Sequence, residues 1–175
     1  KDALESYLPA IFTSIERFVP TWTTERPVGK ELGQLAFDIA DFLFGASDPK
    51  TSNTEMAVAF DRMIKGSFSA PIKLPWTAYG KALKARDKFR VYIKHQIANA
   101  DPKGTALGLL KAARGPGGEQ LTELELEIEM VHFYFAAHGG VTAAFAWALV
   151  VLGEHPEIAA KLRAEADQVL GDGTP

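Results

Sequence analysis

The stretch TELELEIEMVHFYFAAHGGVTAAFAWALVVL, residues 122–152, decides the fold. It opens with Thr122 and Glu125, the spacing of a capping box in which each side chain bonds the other residue's backbone N–H. From Met130 onwards apolar residues continue without strand-like alternation, and helical character from Thr122 to about Leu152 predicts one helix of about 45 Å at ~1.5 Å rise per residue. At its centre stand Gly139 and Gly140, each of which costs a helix roughly 1 kcal/mol relative to alanine.

Two adjacent glycines in the middle of a long helix need a compensating gain. One interpretation is close packing of another helix. The other is a flat ligand that lies against the helix where side chains would collide with it. Ala136 and Ala137 precede the glycines, so the four small residues together form a smooth patch wide enough for such a ligand.

The rest of the chain repeats apolar residues at helical spacing, and no segment alternates like a strand. Pro20 stops a first helix, Gly45 is placed as the C-terminal cap of a second, and a third follows the polar start SNT at 52–54. A loop with apolar content at 67–80 precedes a basic helix over about 79–98. A short helix lies within 105–114, and Pro156 begins the last one. The predicted fold class is all-α with one very long central helix.

Composition excludes several function classes. The chain has 175 residues and a net charge of −3, with 19 basic and 22 acidic residues, so no broad cationic face is available for nucleic acid. It has no cysteine, which removes disulfides, thiolate metal sites and a cysteine nucleophile from this span. No apolar run looks long and clean enough to cross a membrane, and no signal peptide is visible. We therefore expect a soluble, cytoplasmic protein, with a membrane anchor before residue 1 left open.

Three sequence features have both a functional and an ordinary structural interpretation. Glu129 and His132 have the Glu-x-x-His spacing of di-iron bundles, but the second copy that such a site needs is missing, and His138 points to a different face. The basic helix either binds a membrane or partner or simply presents a solvated face, and the second interpretation is favoured. The segment EMVHFYFAAH at 129–138 lines a ligand cavity or fills a core, and its periodicity favours core.

Several segments together resemble one family. FAAHGGVT at 135–142, followed by LVVLGEHPEIAAKLRAE at 149–165, is similar to the long distal helix and the next helix of the cytochrome P-450 haem-thiolate monooxygenases. LESYLP, LAFDIADFLFG, IKLPWTAYGKALKARDKF and ALGLLKAAR, in that order, are similar to the bacterial and retinoic-acid-hydroxylase branches. The resemblance covers nearly the whole chain. It implies that residues 1–175 are one helical, distal segment of a larger P-450-type domain, with the cysteine-bearing and Glu-x-x-Arg parts outside it.

The resemblance also implies a site and its ligands. Ala136, Ala137, Gly139 and Gly140 would lie beside the haem, whose thiolate ligand is expected outside this span. Substrate contacts are expected from a set of larger apolar residues: Phe133, Phe68, Ile72 and Leu74. The implied reaction is hydroxylation of a small apolar molecule, terpenoid or lipid-like, with electrons from a ferredoxin or reductase. No metal ligand is expected within the span.

One departure from the family pattern leaves alternatives open. The acid and alcohol that relay protons to dioxygen in the family fall on Gly139 and Gly140, and Thr142 lies about 200° further around the helix. A peroxide-using or isomerising haem-thiolate enzyme is therefore one alternative. A non-catalytic helical binding module is the other.

Overall fold

The computed structural model describes residues 2–22, 27–45, 47–101 and 105–171. Within these ranges the chain is helical and contains no strand, which confirms the all-α prediction. The helices are α1 Asp2–Phe18, a 3₁₀ turn Val19–Thr21, α2 Val28–Gly45, α3 Thr54–Ser67, α4 Ala78–Asn99, α5 Ala106–Ala112, α6 Glu123–Glu154 and α7 Pro156–Leu170.

The helix boundaries follow local capping chemistry. Thr122 accepts a hydrogen bond from the Glu125 backbone while the Glu125 carboxylate accepts one from the Thr122 backbone, so the predicted capping box is confirmed. Asn53 and Thr77 cap α3 and α4 in the simpler way, each by accepting a backbone N–H of the first turn. Pro156 begins α7, where its missing N–H costs nothing.

Gly45 corrects one prediction. It is the last helical residue of α2, and among the described glycines only Gly118 and Gly171 have positive φ, so it is not a left-handed cap. A methyl group at Gly45 would collide with the side-chain amide of Gln96 on α4. Glycine is required here because a side chain from another helix occupies the space, a reason that the local sequence does not contain.

The core lies where α2, α3, α4 and the first half of α6 meet. Four aromatic side chains are fully buried there: Phe37, Phe60, Phe89 and Tyr134. The Tyr134 ring stacks on Phe37 and meets the edge of Phe89, with 5.2 Å between ring centroids in both pairs. Such pairs add about 0.5–1.5 kcal/mol each to the burial of their apolar surface. The start of α6 is thereby anchored in the core.

The second half of α6 and all of α7 contain no buried residue. Large apolar side chains are instead open to solvent, including Phe145, Trp147 and Val150 on α6 and Leu162 on α7. Large apolar side chains exposed in such number mark a surface that contacts something else. By length and composition α6 meets the criterion for a membrane span, contrary to the expectation from the sequence, and no other described helix does.

Candidate functional site

The two central glycines of α6 lie on its open side. Gly139 and Gly140 are exposed, and a Cβ added to either would meet no described atom within 4 Å. No helix of the described part of the chain packs against the glycine pair, and the interpretation that a flat ligand lies there stays a prediction. Within the described part of the chain, this side of α6 is open to solvent.

The exposed small residues of α6 differ from the predicted patch at two positions, Ala137 and Ala143. Ala136, Gly139, Gly140 and Ala143 are all exposed and, at about 100° per residue, lie within roughly 100° of one another. Ala137, which was predicted to belong to the patch, is half-buried and packs against the core. Ala143 was not among the predicted residues, and it lies at the spacing i, i+3, i+4, i+7 that begins at Ala136. We call these four exposed residues the small-residue face.

Phe133, predicted to contact substrate, packs mainly within the protein. Its ring lies 4.9 Å, centroid to centroid, from the ring of Phe44 on α2, and it is counted among the partly buried side chains around the core. The contact fixes one flank of α6 immediately before the small-residue face. Phe133 therefore borders that face and holds the helix against α2.

The polar residues near the glycines face α2 and α3. His138 is half-buried with its ring 5.5 Å from that of Phe60 and beside Gly33. Burial lowers the pKa of His138, Lys65 lowers it further and Asp61 opposes the shift. Thr142 has a buried hydroxyl oxygen with no hydrogen-bond partner among the described residues. Neither residue shares a side with Gly140, which agrees with the predicted angle for Thr142.

The loop between α3 and α4 carries the other predicted substrate contacts. Phe68 is 85% exposed, and Ile72 and Leu74 are also exposed. The loop is held by the Thr77 hydroxyl, which reaches the carbonyl oxygens of Ile72 and Leu74 and accepts the N–H of Gly80. None of the three apolar side chains belongs to the core that α6 joins. Their assignment to a substrate site stays a prediction.

An ion-pair cluster that the sequence analysis missed secures the first half of α6. Glu127 is buried, with its carboxylate 2.8 Å from Arg90 and 3.1 Å from Lys94, both on α4. Burial alone would raise the pKa of Glu127, but the hydrogen bonds from Arg90 and Lys94 outweigh it and the net shift is downward. Arg90 and Lys94, two residues of the basic helix α4, therefore form ion pairs with another helix of the chain.

The chemistry of the small-residue face fits the flat face of a haem. It has no charge and no side-chain donor or acceptor, so an apolar ring can lie against it without stranding a polar group. It offers no side-chain ligand to an iron, because its four members are alanine and glycine. No group of three or more His, Cys, Asp or Glu residues is placed to hold a metal in the described ranges, and Glu129 and His132 are exposed with 3.9 Å between Oε2 and Nδ1.

Comparison with known proteins identifies the family. The family model described as cytochrome P450 matches residues 73–175, more than half of the chain. The putative cytochrome P450 120 of the cyanobacterium Synechocystis is 30% identical over 172 residues, which is 95% of this chain and 38% of the relative. Cytochrome P450 26A1 of the chicken, Gallus gallus, is 28% identical over 94% of this chain and 36% of its own length.

Solved structures agree with the sequence relatives. The structure described as retinoic acid bound cyanobacterial CYP120A1 superposes with a TM-score of 0.86 at 28% identity, covering 96% of this chain and 40% of that one. The haem domain of a cytochrome P450DA mutant reaches 0.79 at 21% identity and supports the fold alone. The chain spans about two fifths of the length of these relatives. With its all-α core, its long central helix and its open small-residue face, the chain belongs to the cytochrome P450 family.

Proposed function

We propose that residues 1–175 form the distal helical part of a haem-thiolate monooxygenase that hydroxylates a small apolar molecule. The observation that carries the proposal is the open small-residue face of Ala136, Gly139, Gly140 and Ala143, in the middle of an otherwise large and apolar helix. Haem is the cofactor of the family, and its thiolate ligand would come from a cysteine-bearing region that this chain segment does not contain.

In this proposal the exposed apolar surface of α6 and α7 has a function. Phe145, Trp147 and Leu162 would be covered by the cysteine-bearing half of the enzyme, which removes the cost of their exposure to water. The small-residue face would then line an enclosed cavity between α6 and the cysteine-bearing half. Water would be partly excluded from it, because its walls carry no polar side chain.

A bound haem supplies the oxidising chemistry that inserts one oxygen atom into a C–H bond. The residues of this chain shape the space in which the bond is presented. The methyl groups of Ala136 and Ala143 would bound the space beside α6 at its two ends. Gly139 and Gly140 have no side chain and would leave the most room between them. Neither glycine can donate or hold a proton with a side chain, and the Thr142 hydroxyl faces away. Protons for dioxygen would therefore come from a water in the cavity or from a hydroxyl of the substrate.

The substrate class follows from the apolar walls and from the relatives. A small apolar molecule suits a face without donors or acceptors. The cyanobacterial relative is described with retinoic acid bound, so a retinoid-like isoprenoid is the first substrate to test. Electrons would come from a ferredoxin or a reductase.

One experiment separates the monooxygenase from a peroxide-using enzyme, which the glycine pair at the acid-alcohol positions would also suit. The full-length gene product is incubated with retinoic acid, once with a ferredoxin–reductase pair, NADPH and ¹⁸O₂, and once with hydrogen peroxide alone. We expect ¹⁸O in a hydroxylated product from the first incubation. Product from peroxide only, or an isomer without added oxygen, would contradict the monooxygenase reaction.

A further inference from the structure

A buried carboxylate on α2 collects hydrogen bonds from three other parts of the fold. Asp41 is 1% exposed. Its carboxylate accepts hydrogen bonds from the Ser47 hydroxyl at 2.6 Å, the Tyr92 hydroxyl at 2.7 Å and the Gln96 amide at 3.0 Å. The Tyr134 hydroxyl of α6 donates a fourth, short hydrogen bond to the same carboxylate. We call these five residues the Asp41 hub.

The carboxylate of Asp41 has a full set of hydrogen-bond donors, each from a defined side chain. No cation is among the hydrogen-bond partners of Asp41 in the described ranges, so four neutral donors satisfy the buried carboxylate. The Tyr134 hydroxyl also lies 3.2 Å from the Gln96 carbonyl oxygen. Gln96 can occupy this place because Gly45 has no side chain there. Burial chiefly, and then the charge of Asp41, raise the pKa of Tyr134, so its phenol remains a donor.

Helix α6 needs such a contact because its apolar residues do not select one side. Leu126 and Met130 are buried in the core, while Leu124, Ile128 and Phe135 on other sides are apolar and exposed. Burial of apolar surface is non-directional, so it favours several rotations of this helix almost equally. A buried hydrogen bond of fixed geometry distinguishes them, since any other rotation leaves the buried phenol without its acceptor and takes one of four donors from the carboxylate.

The position of Tyr134 ties this choice to the site. It lies two residues before Ala136, the first member of the small-residue face, and at 0% exposure it is the last fully buried residue of α6. We infer that the hydrogen bond from Tyr134 to Asp41 sets the rotation of α6 and thereby decides that Ala136, Gly139, Gly140 and Ala143 face the bound ligand. Tyr134 and Asp41 are positioning residues in this inference, which rests on the proposed function for the identity of the ligand.

The chain offers a matched pair of variants. Tyr134→Phe and Tyr92→Phe each remove one phenol from Asp41, but only the first breaks the link to α6. Both are made in the full-length gene product. The first readout is the dissociation constant of an azole that binds the haem iron. The second is the ¹⁹F resonance of 5-fluorotryptophan at Trp147, which lies 13 residues beyond Tyr134, about 20 Å along α6.

We expect a comparable fall in Tm for both variants but different effects at the site. Tyr134→Phe should weaken azole binding about tenfold or more and shift the Trp147 resonance, because a rotated helix displaces both. Tyr92→Phe should change neither. Equal azole affinities and unshifted Trp147 resonances in both variants would overturn the inference and leave the hub a purely stabilising cluster. If the protein carries no haem, the proposed function fails, and the Trp147 resonance alone still decides whether Tyr134 sets the rotation of α6.

Discussion

Replacing Gly140 by leucine is expected to weaken binding of an apolar ligand at the haem by at least about tenfold, which corresponds to ~1.4 kcal/mol. The new side chain would fill the cavity in which the ligand has to lie. It would not disturb the helical part itself, because no described atom lies within 4 Å of a Cβ at this position. Helix propensity should even favour leucine over glycine by up to about 1 kcal/mol.

Gly153→Leu is the matched control for this variant. Gly153 is also in α6, also exposed, and a Cβ there also meets nothing within 4 Å. It lies 13 residues further on, about 220° around the helix from Gly140, so it does not share the small-residue face. Ligand affinity is measured from the absorption change on titration, and stability from Tm. Equal affinities for Gly140→Leu and the wild type would show that this face is not beside the ligand.

Asp41→Ala is expected to lower the free energy of unfolding by about 3 kcal/mol or more, the largest loss of stability that we predict for this chain. The alanine leaves the phenols of Tyr92 and Tyr134 and the amide of Gln96 without their acceptor in the interior. Each buried group that loses its partner costs about 1–3 kcal/mol. Urea unfolding followed by circular dichroism measures the change in the free energy of unfolding.

Asp61→Ala provides the comparison. Asp61 pairs with Lys65 at 2.7 Å one turn along α3, with the two side chains 42% and 75% exposed. Exposed pairs of this kind contribute at most about 1 kcal/mol, so the variant should unfold almost as the wild type does. A loss for Asp41→Ala no greater than that for Asp61→Ala would mean that water or rearranged neighbours satisfy the hub without its carboxylate.

Local chemistry made much of the helical fold predictable. The capping box at Thr122, the start of α7 at Pro156 and the loop after Ser67 depend on residues within a few positions of one another. The length of α6 followed from an apolar stretch free of proline. The sequence left two interpretations of Gly139 and Gly140, a packed helix or a flat ligand, and the structure adds that no described helix packs there.

The contacts that hold the site could not be predicted in this way. Tyr134 and Asp41 are 93 positions apart, and nothing near either residue indicates the other. Gly45 looked like a helix cap, although its role depends on Gln96 on another helix. Ala137 fell inside a run of small residues, but its side of α6 is turned towards the core, which the helix also contacts through Tyr134 and Phe133. Such constraints come from tertiary packing, which a pattern of single residues does not encode.

The most direct test of the central claim is the absorption spectrum of the full-length gene product, reduced and exposed to carbon monoxide. If residues 1–175 are the distal part of a haem-thiolate enzyme, the spectrum will contain a thiolate-type Soret band, and the band will be reproduced in Gly153→Leu. A colourless protein, or a haem protein whose carbon monoxide complex lacks the thiolate signature, would contradict the account.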